Sequence, residues 1–119
     1  MAELSLHFTW KEAECRCGCG YSRINPLLVH LLERIRYYAG EKPVIVHSWC
    51  RCGEHNKSVG GKSDSQHVYG NAADISVAGV SVDRLLQIAK RQGADGIGVY
   101  RKQRFIHIDM RGYPAQWEG

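Results

Sequence analysis

The chain has 119 residues, 44% hydrophobic and 24% charged, which is enough for one domain with a single core and too little for two. Its formal net charge of +4 is scattered along the sequence, which argues against a nucleic-acid-binding face of clustered basic residues and stacking aromatics. No apolar run approaches transmembrane length, so no membrane span is expected.

In chain order, residues 1–7 lack the basic start and apolar stretch of a signal peptide. The chain as given is therefore expected to be made in the cytoplasm and to need a helper or a further segment to leave it. Thr9 stands three residues before Glu12, a capping box that predicts a short helix. Residues 15–23, rich in Cys, Gly and Arg, read as an irregular loop. Asn25 followed by Pro26 marks a helix start. Leu28, Leu31, Leu32 and Ile35 then recur at helical spacing, with His30 off the stripe on the solvated side, until Gly40 stops the helix.

The β-branched run from Pro43 to Ser48 reads as a buried strand that delivers Trp49, Cys50 and Arg51 at its C-terminal end. Residues 53–62 read as a turn-rich connection in which Gly60 and Gly61 are free to take positive φ. His55 in it is assigned to the surface or to a place behind the ligands. Five cysteines fall in two clusters, Cys15-x-Cys17-x-Cys19 and Cys50-x-Cys52. The odd number excludes a fully paired disulfide framework, and the CxC spacing differs from the CxxC of structural zinc sites. Packing thiols, a metal site joining the clusters, and one or two disulfides all stay open. The absence of a signal peptide favours reduced thiols.

The stretch from Ser63 to Ile75 carries the first recognisable chemistry. It holds His67 and, seven residues on, Asp74, with Gly70, Ala72 and Ala73 between them expected to form a tight turn. An aspartate flanked by Ala73 and Ile75 is costly to bury unless a cation sits opposite it. A metal ion supplies that charge, and imidazole and carboxylate are ordinary zinc ligands. Ser81 next caps an amphipathic helix with Val82, Leu85, Leu86 and Ala89 inward and Gly93 at its end. Residues 96–100 and 105–110 form two strands joined by the basic hairpin 101–104. In the second strand Ile106, Ile108 and Met110 take one face, and Phe105, His107 and Asp109 the other. His107 is thus a third candidate ligand, with Asp109 beside it. The tail from Arg111, carrying Trp117, is expected to lie over the domain.

Ser65-x-His67-x-x-Gly70-x-Ala72-x-Asp74, followed by a strand bearing His107-x-Asp109, resembles the zinc D-alanyl-D-alanine carboxypeptidase family. That family includes peptidoglycan L,D-endopeptidases of phage lysins and shares its fold with the hedgehog signalling domain. The resemblance extends to Asn25-Pro26-Leu27-Leu28, to Ser48 through Cys52 with His55-Asn56, to Val59-Gly60-Gly61 and to residues 96–100. It implies one catalytic zinc on His67, Asp74 and His107, with the fourth position open to water. It places Arg51 as a bidentate clamp on a substrate carboxylate. Ser65 would touch the substrate backbone or hold its loop. The family usually has Gly-Tyr before this arginine, whereas Trp49-Cys50 stands here, which alters the pocket. Many relatives carry an acid three residues before the last histidine ligand; here it is Arg104. The general base is therefore sought at Asp109, whose alternative role is to orient a ligand imidazole. Glu54 and Asp64 are the nearest other acids by sequence.

The expected fold is α+β, hedgehog/DD-peptidase-like, with helices packed on one side of a small, largely antiparallel sheet whose open face carries the zinc. It would be one zinc peptidase domain spanning 1–119, acting as a monomer on the stem peptide of peptidoglycan. Two rivals stand beside it. One is a catalytically silent, zinc-stabilised binding module on the same fold, favoured by Arg104 in place of an acid. The other is a Cys-cluster metal domain that binds nucleic acid, disfavoured by the scattered charges.

Overall fold

Three helices begin at the side chains that the sequence marks for them. In the computed structural model, which describes residues 3–20, 23–61 and 65–119, Thr9 caps α1 (Trp10–Ala13). Its hydroxyl oxygen accepts from the Glu12 N–H while the Glu12 carboxylate accepts from the Thr9 N–H. Asn25 caps α2 (Pro26–Tyr38) by accepting from the Leu27 N–H. Gly40, at φ +95°, turns the chain just past the C-cap Ala39. A further short helix, α3 (Gly53–Ser58), stands where only turns were expected, with Cys52 as its N-cap. Ser81 caps α4 (Val82–Arg91), whose buried face is Leu85, Leu86, Ile88 and Ala89.

Five strands, β1 (Val44–Ser48), β2 (Ala72–Val77), β3 (Gly96–Tyr100), β4 (Phe105–Asp109) and β5 (Ala115–Glu118), form one sheet in the order β1-β2-β4-β3-β5. Neighbours are antiparallel except β5, which runs parallel to β3. The sheet is therefore mixed, which corrects the largely antiparallel expectation. The reason lies in the 110–114 connection. β4 ends level with Gly96; the Gly112 N–H then reaches the Asp95 carboxylate, and Ala115 starts β5 opposite Gly96. Starting level with the first residue of β3, the tail runs in the same direction and extends the sheet edge rather than lying over the domain.

The tight turn before β2 is also placed differently. Ala72 and Ala73 are the first residues of β2, and the fold-back is completed by residue 70. Gly70 has φ +71°, and a Cβ there would lie 1.7 Å from the Arg23 carbonyl oxygen. Only glycine fits that backbone at that separation.

The sheet has two unlike faces. Val44, Val46, Ala73, Ile75, Val77, Ile97, Val99, Ile106 and Ile108 belong to the core with the buried stripes of α2 and α4. On the opposite face one row of cross-strand partners runs Asp74, His107, Gly98, Trp117. Full burial of a side chain such as Ile75 or Ile106 contributes about 1.5–3 kcal/mol. A one-residue slip would exchange these isoleucines for Asp74 and His107, so the apolar core itself fixes the register of the polar row. No described helix is long and apolar enough to cross a membrane.

Candidate metal centre

His67, Asp74 and His107 meet on the open face of the sheet, each offering a ligand atom within 4.8 Å of the other two. β2 and β4 supply Asp74 and His107 as directly paired residues, while the turn before β2 brings His67 over them. All three are buried. His67 Nδ1 lies 2.7 Å from the Trp49 carbonyl oxygen, to which it donates, so its Nε2 is the free acceptor and points at Asp74 Oδ1, 3.2 Å away. In His107 the roles are reversed. Nε2 donates to Asp109 Oδ2 at 2.7 Å, and Nδ1 faces Asp74 Oδ1 at 3.1 Å. Each imidazole is thus locked from behind in the tautomer that presents a lone pair inward. Ligands about 2.0–2.1 Å from a tetrahedral ion stand roughly 3.3 Å apart, close to the separations seen here.

The electrostatics fit a cation at this point. Burial alone would raise the pKa of Asp74, but its contacts with the His107 and His67 rings outweigh it and hold the carboxyl well below the usual range. Burial would depress His107, but hydrogen bonds to Asp109 and Asp74 push it above the usual imidazole value. The lowered Asp74 value keeps its carboxylate ionised, and the raised His107 value reflects the negative charge of the two carboxylates beside that ring.

This face opens into a cavity of about 560 Å³ whose walls include Arg51, Ser65, His67, Asp74, His107, Arg111 and Trp117. The Arg51 guanidinium is held by Ser48 Oγ and Asn56 Oδ1, both at 3.2 Å, and its Nη2 lies 3.6 Å from Asp74 Oδ2. Gly61 passes so close to Asn56 that a Cβ would sit 2.1 Å from Oδ1, so glycine at 61 leaves room for the amide that holds Arg51. Ser65 Oγ accepts from the His67 N–H at 3.3 Å. Tyr100 and Phe105 stack at 4.8 Å in the far wall.

Asp109 lies elsewhere. It is 0% exposed and does not wall the cavity. Its oxygens accept from the Gly96 N–H, the Arg111 N–H, the Arg111 guanidinium and His107. Held by these donors behind the ring, it has no free oxygen toward the cavity. This geometry favours the alternative role of fixing His107 over that of proton acceptor. Glu54 is exposed on α3 and walls no part of the cavity, nor does His55. Asp64 lies outside the described residues.

Sequence reasoning missed Arg111, which grips Asp109 through Nε and Nη2 at 2.7–3.1 Å and packs 5.1 Å over the Trp117 ring. Extending the period-two count from His107 through Asp109 would have found it. It also missed Trp117, whose ring centroid lies 5.1 Å from that of His107. Gly98 makes this possible, since a Cβ there would lie 2.6 Å from the indole.

The family model for peptidase M15 matches residues 4–109. The chain is 33% identical to the zinc D-Ala-D-Ala carboxypeptidase of Streptomyces albus G over 120 residues, covering 92% of this chain and 42% of that protein. It is 30% identical to the peptidoglycan L,D-endopeptidase MepK of Escherichia coli K12 over 92 residues, covering 72% of this chain and 50% of that protein. The chain thus spans half or less of the length of these relatives. On the strength of the family match, it belongs to the peptidase M15 family.

Proposed function

We propose that this chain is a zinc peptidase domain that hydrolyses a peptide bond in the stem peptide of bacterial peptidoglycan, of the D-Ala-D-Ala carboxypeptidase or L,D-endopeptidase type. The observation that carries the reading is the trio His67, Asp74 and His107, locked from behind and open on one side to a cavity with an arginine in its wall. His67 Nε2, His107 Nδ1 and a carboxylate oxygen of Asp74 would hold the zinc. When bound, zinc supplies a Lewis acid for the scissile carbonyl and activates a water as nucleophile at neutral pH.

The protein's own groups do the rest. Arg51, pre-set by Ser48 and Asn56, binds a substrate carboxylate with its fork. Ser65 holds the loop that presents His67. Asp109 and Arg111 keep His107 in its ligand tautomer. The stacked Tyr100 and Phe105 with Trp117 exclude water from one side of the substrate. The mixed sheet with helices on one face supports a fold of the hedgehog/DD-peptidase type. The radius of gyration, 13.2 Å, matches the roughly 13.5 Å of one compact domain of this length, which supports a single domain, here read as a monomer.

A second reading, a silent zinc-stabilised module, draws on one observation. Among the described residues, Asp74 is the only carboxylate in the cavity wall. Arg104, in place of the family's acid, is exposed in the 101–104 turn. Digestion of purified peptidoglycan, with released fragments weighed by mass spectrometry, separates the two. We expect zinc-dependent release that a chelator stops. A zinc-loaded protein that releases nothing would establish the silent module instead.

A further inference from the structure

A second group of ligand-type side chains lies away from the cavity. Cys15, Cys17, Cys19 and Cys52 bring their sulfurs within 4.8 Å of one another. Cys15 and Cys17 Sγ are 3.4 Å apart, and each is 3.7 Å from Cys52 Sγ. A disulfide would need about 2.0 Å. Four thiolates each about 2.3 Å from a tetrahedral zinc ion stand roughly 3.8 Å from one another. The observed spacing is therefore that of co-ligands and not of bonded pairs.

The backbone around the sulfurs is built for thiolates. The Cys52 N–H donates to Cys15 Sγ and the His55 N–H to Cys52 Sγ, both at 3.3 Å. Such donors offset the excess negative charge of four thiolates around a divalent ion. Gly18, at φ +83°, closes a turn onto the Cys15 carbonyl that brings Cys17 and Cys19 back toward Cys15. The fifth thiol, Cys50, is not part of the group; it is buried and accepts from the Arg23 N–H.

We propose that Cys15, Cys17, Cys19 and Cys52 bind a second, structural metal ion, a thiophilic divalent cation of the zinc type. With four protein ligands the site is closed and keeps no position for water or substrate. Loading releases the thiol protons to solvent and changes no oxidation state. The ion ties the 15–19 loop, which has no helix or strand of its own, to the N-cap of α3. Cys52 follows Arg51 directly, and the Arg51 N–H is bonded to the His67 carbonyl. The structural ion therefore braces the turn from which the cavity's arginine projects. The proposal is independent of the peptidase reading, since a chain that cut nothing would still hold this ion.

The test is elemental analysis of the reduced, zinc-loaded full chain. Wild type should carry about two zinc ions, and His67→Ala and the double variant Cys17→Ser/Cys19→Ser about one each. Cys50→Ser should keep the wild-type content. Cys17 and Cys19 are exposed, so the double change removes ligands without disturbing the core. As a readout that needs no cysteine variant, cobalt-loaded His67→Ala should show sulfur-to-cobalt charge-transfer absorption. Loss of all zinc in His67→Ala, unchanged zinc in the double variant, absence of that absorption, or a disulfide in the intact mass of the zinc-loaded chain would each overturn the proposal.

Discussion

Asp109 is the residue whose chemistry depends most on its surroundings. A carboxylate with free oxygens beside a metal takes protons; one enclosed by a guanidinium, two backbone N–H groups and an imidazole positions its neighbours. Asp109→Asn should therefore weaken zinc binding at the His67, Asp74 and His107 trio by about 10–100-fold, measured by chelator competition. Turnover should return when zinc is saturating. Turnover that stays low at full occupancy would restore the proton-acceptor role. Arg51 allows a separate test. Arg51→Lys keeps the charge but loses the planar fork that Ser48 and Asn56 hold. Peptidase activity should fall substantially with metal content unchanged, and an unimpaired variant would put the substrate clamp elsewhere.

At the scale of elements, what was legible in the sequence was local. The capping box at Thr9, the Asn25-Pro26 start, the Ser81 cap and the two-residue period of β4 each depend on neighbours a few residues apart. The trio of candidate ligands was legible for the same reason: spacing within two short stretches puts His67 near Asp74 and His107 on the polar face of its strand. α3 was hidden because Gly53 and Asn56 are weak helix formers, and its cap is an unusual cysteine. The parallel strand β5 was hidden because its half-buried pattern carries no record of its partner; the Asp95 contacts that start it are long-range. Arg111 escaped because its value lies in holding Asp109 rather than in anything the cavity needs directly.

Two predictions belong to these elements. Gly70→Ala combines positive φ with a collision against the Arg23 carbonyl and should cost about 2–4 kcal/mol of stability, read by chemical denaturation. A near-neutral result would mean that the 66–70 turn relaxes freely. Glu33 on α2 anchors the N-terminal segment through Ser5 and His7. Burial would raise its pKa, but the Ser5 and His7 hydrogen bonds prevail and lower it. With the folded value depressed, this stabilisation is present above the ordinary carboxyl range and is lost as pH falls through the folded value. Glu33→Gln should melt a few degrees below wild type near neutrality, with the difference closing below about pH 4. A difference that persists in strong acid would show that charge is not the source.

For the whole molecule, one sheet divides the labour. Its apolar face, packed on α2 and α4, sets the register; its other face carries Asp74, His107 and Trp117 in one row, with His67 brought over by the turn before β2. The site's geometry is therefore a consequence of core packing. On the proposed reading, His67, Asp74 and His107 together hold one zinc ion. Zinc-edge anomalous diffraction from crystals of the zinc-loaded chain tests it most directly. An anomalous peak is expected about 2.0–2.2 Å from His67 Nε2, His107 Nδ1 and an Asp74 oxygen. A zinc-loaded crystal with no peak among these three side chains would contradict it.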